Sequence, residues 1–248
     1  EGSALGSFFI LESAGVASEE YTYKDADGVD GQTVAAGDMI YVDQNGDGKI
    51  TDEDKKVFEG GIAPIYGGFN TSIEYKGFDL GISGQYSIGK KVYALFKEDG
   101  LNGGAVGAPS YSENMLTEML DYWTPTNTNA SNPRPHLSSE ISAWNTQRSS
   151  RYLEDADYLR ISDITLGYNF NFLKESDLKF IKSLRLYAQV RNPFTFTKYS
   201  GGDPEVNYID QTAESSQDRS DGGKIGAGVD LGGIPNVKSF LVGLNVKF

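Results

Sequence analysis

One twelve-residue segment of the chain has the residue types and spacing of a calcium-binding loop. Residues 43–54 place an oxygen ligand at each position that such a loop requires: Asp43, Asn45, Asp47, the backbone carbonyl of Lys49, and Asp54. Gly48, at position 6, permits the sharp turn of the loop. Calcium binds several oxygen atoms at once, and converging carboxylates without a cation repel one another. The spacing therefore predicts a Ca²⁺ ion held by these five residues.

The last ligand departs from the usual loop, because position 12 is Asp54 and not the longer Glu that reaches the ion with both oxygens. No amphipathic helix precedes Asp43, which disfavours a signalling helix-loop-helix. We interpret the segment as a static calcium site that stiffens a longer loop. The alternative is a metal-free turn rich in Asp and Gly, and the sequence leaves it open.

The elements that carry this loop are predicted to be β-strands, because apolar and polar residues alternate along much of the chain. Six stretches have this character, near residues 5–13, 68–75, 78–88, 163–172, 184–191 and 240–248. Lys76 and Gly77 form a tight turn between the second and third. Strands of about 10 residues match the span of a tilted membrane strand. The fold class predicted is all-β, with antiparallel strands that form part of a transmembrane barrel, apolar residues toward lipid and polar residues toward a wet lumen.

Short and long connections alternate between these strands, as in outer-membrane barrels. The long ones, residues 18–61, 95–155 and 199–237, are predicted to be extracellular loops. The first contains the calcium-like segment. The second contains a stretch, 112–123, with Met and Leu at helical spacing, which predicts a short amphipathic helix.

Charge and composition exclude several classes of function. The formal net charge of −13 disfavours binding to nucleic acid and polybasic attachment to anionic lipid. The absence of cysteine excludes disulfides and thiolate metal sites. The single histidine, His136, lies in a proline-rich segment without an evident nucleophile or second ligand, so we expect no enzyme activity.

Several segments together resemble the SusC/RagA family of TonB-dependent outer-membrane transporters. The similar segments are Leu5-Gly6-Ser7-Phe8, the calcium-like loop from Gly37 to Ile50, Tyr66-Gly67-Gly68-Phe69-Asn70 with the following hairpin, residues 150–168, and residues 191–205. They follow in order over nearly the whole chain.

This resemblance implies that residues 1–248 are the C-terminal portion, about six strands, of a barrel of about 22 strands. It implies import of oligosaccharides or peptides across the outer membrane, with a SusD-like lipoprotein as partner. The remaining N-terminal barrel and plug, through which the TonB complex acts, are expected to lie outside this chain. Outer-membrane lipid is then expected to surround the barrel, and nucleic acid is not an expected partner.

A second function remains open from the residues alone: a soluble, calcium-stabilised β module that binds carbohydrate. Aromatic residues of the loops could stack on sugar rings in either case: Tyr111, Trp123, Trp144 and Tyr208. Packing within the loops is the preferred interpretation of all four, and no substrate-binding residue is assigned.

Overall fold

The computed structural model describes residues 2–101, 115–136, 139–170, 181–208 and 226–248. Within these ranges, no helix is both long enough and apolar enough to cross a membrane. The chain divides into two compact units. The loop unit comprises Glu1–Ile62, Lys91–Glu154 and Val206–Gly232, and the sheet unit comprises Ala63–Lys90, Asp155–Glu205 and Gly233–Phe248.

The strands in chain order are β1 (Phe8–Leu11), β2 (Ser13–Val16), β3 (Tyr21–Lys24), β4 (Asp30–Val34), β5 (Met39–Tyr41), β6 (Lys55–Phe58), β7 (Ile65–Tyr75), β8 (Phe78–Ile88), β9 (Lys91–Ala94), β10 (Leu153–Asp155), β11 (Tyr158–Asn169), β12 (Ser183–Thr197), β13 (Asn207–Tyr208), β14 (Gly226–Ala227), β15 (Val229–Asp230) and β16 (Ser239–Lys247). The helices are α1 (Leu95–Gly100) and α2 (Ser139–Asn145), with 3-10 turns at Asp52–Asp54, Thr117–Leu120 and Ser150–Tyr152.

The sheet unit is one antiparallel sheet in the order β16-β12-β11-β8-β7. Strands β7 and β8 have 11 residues each, and β11 has 12. The hairpin between β7 and β8 is closed by Lys76 and Gly77, whose φ angles are 49° and 90°. Positive φ at both positions is the mark of the turn that suits two-residue hairpins. The predicted long antiparallel strands and this turn are therefore confirmed.

Cross-strand register sorts the side chains of the sheet into two faces. The apolar face carries, among others, Ile73 of β7, Leu80 of β8, Leu166 of β11, Ala188 of β12 and Val242 of β16, which are paired in adjacent strands. The opposite face carries polar residues such as Ser72, Gly81, Thr165, Gln189 and Asn245.

A bulge keeps this division intact along β11. The register shifts between Ile161 and Asp163, so the apolar positions change from odd to even numbers at Ser162. Leu159 and Ile161 before the bulge thus share the apolar face with Leu166 after it. An extra residue in one strand has this effect because side chains alternate with period two.

Aromatic rings on this sheet lie over glycines of the adjacent strand. The ring of Tyr86 covers Gly67, its direct cross-strand partner, so that a Cβ there would come within 2.7 Å of the hydroxyl. Phe69 covers Gly84 in the same way, and Tyr187 covers Gly243. The glycines leave space that the rings fill, which stabilises and pins the strand pairing.

The loop unit contains its own hydrophobic core. One buried cluster joins Ile10 from the first segment to Tyr93, Leu101, Met119 and Tyr152 from the second, with Val229 of the third segment packed against it. Two smaller clusters surround Met39 and Tyr23. The core therefore combines all three segments of the unit.

Two predictions about single elements were wrong. The stretch 5–13 contributes β1 and part of β2, which pair with β6 and β5 in the loop unit, so the long sheet has five strands among the described residues and not six. The helix predicted for residues 112–123 is a single 3-10 turn at Thr117–Leu120, while residues 112–114 lie outside the described ranges. Met119 is buried there and Leu120 is exposed, so only part of the amphipathic pattern is used.

Candidate functional site

The calcium-like loop folds tightly around the side chain of Asp43. Its two carboxylate oxygens accept the backbone N–H groups of Gly46 at 2.7 Å and Gly48 at 2.8 Å. Both glycines have positive φ, 73° and 78°, which few other residues adopt at low cost. The side chains of Asn45 and Asp47 each accept the N–H group two residues further on. These bonds turn the oxygens of all three side chains toward the loop.

Asp54 closes the loop from its other end. The residue is fully buried, and its carboxylate accepts the N–H groups of Gln44 at 2.9 Å and Thr51 at 2.7 Å. Asp54 therefore reaches back to the residue that follows Asp43, which brings the first and last predicted ligands close in the fold. A buried carboxylate needs such donors, because burial without them is costly.

The β3–β4 hairpin holds the loop in place through backbone contacts. The N–H of Gln32 donates to the carbonyl of Gly48 at 2.8 Å, and the N–H of Ala26 donates to the carbonyl of Gly46 at 3.0 Å. A side chain at Gly31 would overlap the carbonyl of Gly48. No side-chain pattern in the sequence marks this hairpin as the support of the loop, because the bonds are between backbone groups.

The donor set fits a calcium ion in part. The five predicted ligands all belong to one closed loop: Asp43, Asn45, Asp47, Lys49 and Asp54. Yet no group of three or more His, Cys, Asp or Glu side chains in the described ranges is gathered as a metal site would require. An ion here would depend on neutral oxygens, the amide of Asn45 and the carbonyl of Lys49, in addition to carboxylates. Which ligands an ion would engage stays a prediction.

A second polar site lies on the polar face of the sheet, at the end away from the Lys76-Gly77 turn. Arg160 of β11 is buried and donates to Glu205 at 2.7 Å, to Asp203 at 2.5 Å and to the hydroxyl of Thr195 at 3.1 Å. Gln85 of β8 also donates to Glu205, at 2.9 Å. These bonds fix the Asp203-Pro204-Glu205 segment against the sheet.

Burial and neighbouring charges shift the pKa values of Asp203 and Lys90 in this cluster. Burial alone would raise the pKa of Asp203, but the N–H groups of Glu205 and Asn236 and the guanidinium of Arg160 hold that pKa below its ordinary value. Burial lowers the pKa of Lys90, although Glu205 and Asp203 lie near enough to oppose that shift. The Nζ of Lys90 donates to the carbonyl of Pro204 at 2.9 Å. The segment is thus bound by two cations.

A second ion pair lies on the polar face of the sheet, at the end near the Lys76-Gly77 turn. Arg185 binds the carboxylate of Asp79 with two nitrogens, and Asn169 donates to it at 3.1 Å. Gly167 lies between them, since a Cβ there would collide with both side chains. Nothing in the sequence pattern pairs these residues, because they belong to three different strands.

The loop aromatics pack within the loop unit where the structure describes them. The indole N–H of Trp144 donates to the carbonyl of Met39 at 2.9 Å, and its ring meets that of Tyr41 edge-on at 5.3 Å. Trp123 covers Gly37. Tyr111 lies outside the described ranges, as does the side chain of Tyr208. Packing, the preferred interpretation, holds for both tryptophans.

Comparison with known proteins gives a consistent result. No family model matches the chain. It is 33% identical over 257 residues to TonB-dependent receptor P3 of Formosa agariphila, an alignment that covers 100% of this chain and 22% of that protein. It is 28% identical over 233 residues to TonB-dependent receptor SusC of Bacteroides thetaiotaomicron, covering 94% of this chain and 19% of that protein.

Solved structures resemble the fold over nearly its full length. The RagAB peptide importer in its closed-closed state has a TM-score of 0.68 and 23% identity, and in its open-open state a TM-score of 0.69 and 21% identity. Each match covers 98% of this chain and 23% of the importer chain. The chain spans about a fifth of the length of the curated relatives.

The fold is that of part of a barrel transporter: antiparallel strands with one apolar and one polar face. By sequence, the chain is a portion of a TonB-dependent receptor of the SusC/RagA family, as its motifs predicted. These relatives are receptors and not enzymes, which confirms the expectation of no enzyme activity.

Proposed function

We propose that this chain forms part of the barrel wall and the surface loops of a SusC-like transporter, which imports oligosaccharides or peptides across the bacterial outer membrane. The observation that supports the proposal is the exposed apolar face of the long sheet. Leu166, on the central strand, is 50% exposed, and Val242 of β16 is 75% exposed. A face of this kind has to contact lipid or protein, because it would aggregate in water.

The two edges of the sheet support the same proposal. Strands β7 and β16 each pair with one neighbour among the described residues. In lipid, unpaired backbone groups are too costly to persist, so further strands must continue the sheet on both sides. The remaining N-terminal barrel would supply these strands, and the plug with its TonB contact would belong to that same part of the protein.

The soluble carbohydrate-binding module is disfavoured by the same face. A soluble sandwich would cover it with a second sheet across a dry core. The apolar residues of β8, β11 and β12 are instead accessible, including Tyr86, Leu159 and Phe196. We therefore keep the transporter as the proposed function.

The test uses the intact protein that contains this chain. After cell fractionation, we expect it in the outer membrane, released only by detergent, and copurifying with a lipoprotein partner. Cells lacking the protein should lose uptake of labelled oligosaccharides or peptides, and a plasmid copy should restore it. Recovery of the protein in the soluble fraction would refute the proposal.

We also propose that residues 43–54 bind one Ca²⁺ ion that stiffens the surface loop. Calorimetric titration of the intact protein should show one binding event that the double substitution of Asp43 and Asp47 by Asn abolishes. Asp52→Asn is the control, since Asp52 is exposed and outside the ligand set. No heat of binding, or the same binding in the double variant, would rule out the site.

A further inference from the structure

Asn45 and Gly46 form an Asn-Gly pair inside the calcium-like loop. Such a pair is chemically labile in proteins, because glycine has no side chain to hinder its backbone nitrogen as that nitrogen approaches the preceding amide. Asn45 is exposed, so water can reach its side chain. Asn45 is thus reactive by its neighbour in the sequence and accessible in the fold.

The reaction open to this pair is deamidation through a cyclic imide. The backbone nitrogen of Gly46 attacks the side-chain carbonyl carbon of Asn45 and loses its proton to solvent, while the side-chain nitrogen leaves as ammonia. Water then opens the ring. The product is aspartate if the new C–N bond breaks, and isoaspartate if the original peptide bond breaks. Overall, one water is consumed and one ammonia is released, and nothing is oxidised or reduced.

The folded loop holds the reacting groups in other hydrogen bonds. The N–H of Gly46 donates to the carboxylate of Asp43 at 2.7 Å. The side-chain oxygen of Asn45 accepts the N–H of Asp47 at 3.0 Å, and its side-chain nitrogen donates to Glu53 at 3.4 Å. The attack would break the first of these bonds, because the nitrogen must turn from Asp43 toward Asn45. A carboxylate is too weak a base to take the proton of a peptide N–H, so Asp43 restrains this nitrogen and does not activate it.

Asp43 restrains a second labile pair in the same way. Asp47-Gly48 can form the same ring, with loss of water instead of ammonia. Its attacking group, the backbone nitrogen of Gly48, donates to the other carboxylate oxygen of Asp43 at 2.8 Å. One carboxylate therefore occupies the backbone nitrogens of both glycines.

We infer that Asn45 is a site of spontaneous deamidation that the carboxylate of Asp43 keeps unreactive while the loop is folded. Opening of the loop releases the N–H of Gly46 and permits the reaction. An isoaspartate product adds one carbon to the backbone before Gly46, so this residue cannot return to its bond with Asp43. The modification is then a permanent record that the loop has opened, and it replaces a neutral amide by a carboxylate among the predicted ion ligands.

The test is peptide mass spectrometry of the intact protein after incubation in detergent and a chelating buffer. Asp43→Ala should deamidate at Asn45 at least about tenfold faster than the unsubstituted protein, the factor expected for loss of one charge-assisted hydrogen bond. In denaturant the two proteins should react at the same rate, because the loop is then open in both. An equal or slower rate in the folded Asp43→Ala variant would overturn the inference.

Asp54→Ala is the matched control, because it removes the carboxylate at the other end of the loop and leaves the acceptor of the Gly46 N–H in place. It should accelerate the reaction less than Asp43→Ala. Equal acceleration in the two variants would show that general loosening of the loop controls the reaction, and would also overturn the inference. Since the buffer holds no free calcium, failure of the proposed ion site would leave this result unchanged.

Discussion

The hydroxyl of Tyr23 accepts a hydrogen bond from the backbone N–H of Tyr41 at 2.9 Å and donates one to the carbonyl of the same residue at 3.0 Å. Both side chains are buried. The pair joins the hairpin that supports the calcium-like loop to β5, the strand that leads into that loop. One hydroxyl group thus links the loop to its support.

Tyr23→Phe is expected to weaken this link, because it leaves two buried backbone groups without the hydroxyl, at a cost of about 1–3 kcal/mol. Hydrogen exchange of the Tyr41 amide should become faster, measured by mass spectrometry. Tyr21→Phe is the control, since the Tyr21 ring meets that of Tyr23 edge-on and is exposed. Unchanged exchange in Tyr23→Phe would contradict the prediction.

Alkaline pH should loosen the same region. Burial raises the pKa of Tyr23 to about 12, and the carboxylates of Asp43 and Asp54 add to the shift. A group whose folded pKa is raised contributes stability that is complete below its ordinary value of 10.0 and is lost as pH rises toward 12. Proteolysis of residues 18–61 should therefore accelerate between these two values. Constant cleavage across this range would argue against the burial of that hydroxyl.

Removing the carboxylate of Asp54 should destabilise the loop even when calcium is chelated. Asp54→Ala leaves the N–H groups of Gln44 and Thr51 without their acceptor, which costs about 0.5–1.5 kcal/mol for each part-buried hydrogen bond that is lost. Asp52→Ala should have little effect, because the side chain of Asp52 is exposed and pairs with Lys55 at 2.8 Å on the surface. Protease resistance in a chelating buffer distinguishes the two variants, and equal resistance would show that the acceptor is dispensable.

Gly84→Ala should destabilise the long sheet, whereas Gly81→Ala should not. An added Cβ at Gly84 would collide with the ring of Phe69 and with the carbonyl of Arg160, while at Gly81 it would have no atom within 4 Å. Both glycines lie in β8, so a comparison of the two variants separates the steric clash from the change in strand propensity. Folded barrels migrate faster than boiled ones in gel electrophoresis. The temperature at which this faster-migrating band disappears should fall for Gly84→Ala alone. A fall of the same size in both variants would refute the role of the ring.

Arg160→Met should free the Asp203-Pro204-Glu205 segment, because breaking a buried ion pair costs about 3–5 kcal/mol. The lowered pKa of Asp203 gives stability that is present above its ordinary value of 3.8 and lost as pH falls through the lowered one. In the variant, that loss should begin at higher pH. Protease cleavage of the Asp203-Pro204-Glu205 segment as a function of pH measures it, with Arg191→Met, an exposed arginine of β12, as the control.

The long strands were predictable because alternation of side chains is a local property. The alternation of β8, from Phe78 to Ile88, can be recognised without knowing its partner strand. The Lys76-Gly77 pair likewise indicates a turn from its own residue types. The bulge at Ser162 was not predictable from alternation, since an extra residue is defined only by the strands on either side. The stretch 5–13 was misassigned for a related reason: its apolar residues resemble a sheet strand, but the partner that decides its place, β6, lies more than 40 residues further along.

The position of the calcium-like loop was predictable to a similar degree, and its binding of an ion stays a prediction. The order of Asp43, Asn45 and Asp47 is fixed by spacing, so the loop could be located in the sequence. The contacts of Arg160 with Asp203 and Glu205 could not be predicted from the sequence, because they join residues more than 40 positions apart and no pattern marks them. The support from the β3–β4 hairpin likewise depends on backbone contacts, which carry no side-chain signature.

The loop unit has a consequence for how the protein is made. Its core takes residues from three stretches of chain, and β15, in the last of them, pairs in parallel with β9. That pairing cannot form until Asp230 has been synthesised, after four of the five strands of the long sheet. The loop unit therefore completes its fold late, and antibodies against its native form should recognise discontinuous epitopes that no single peptide reproduces.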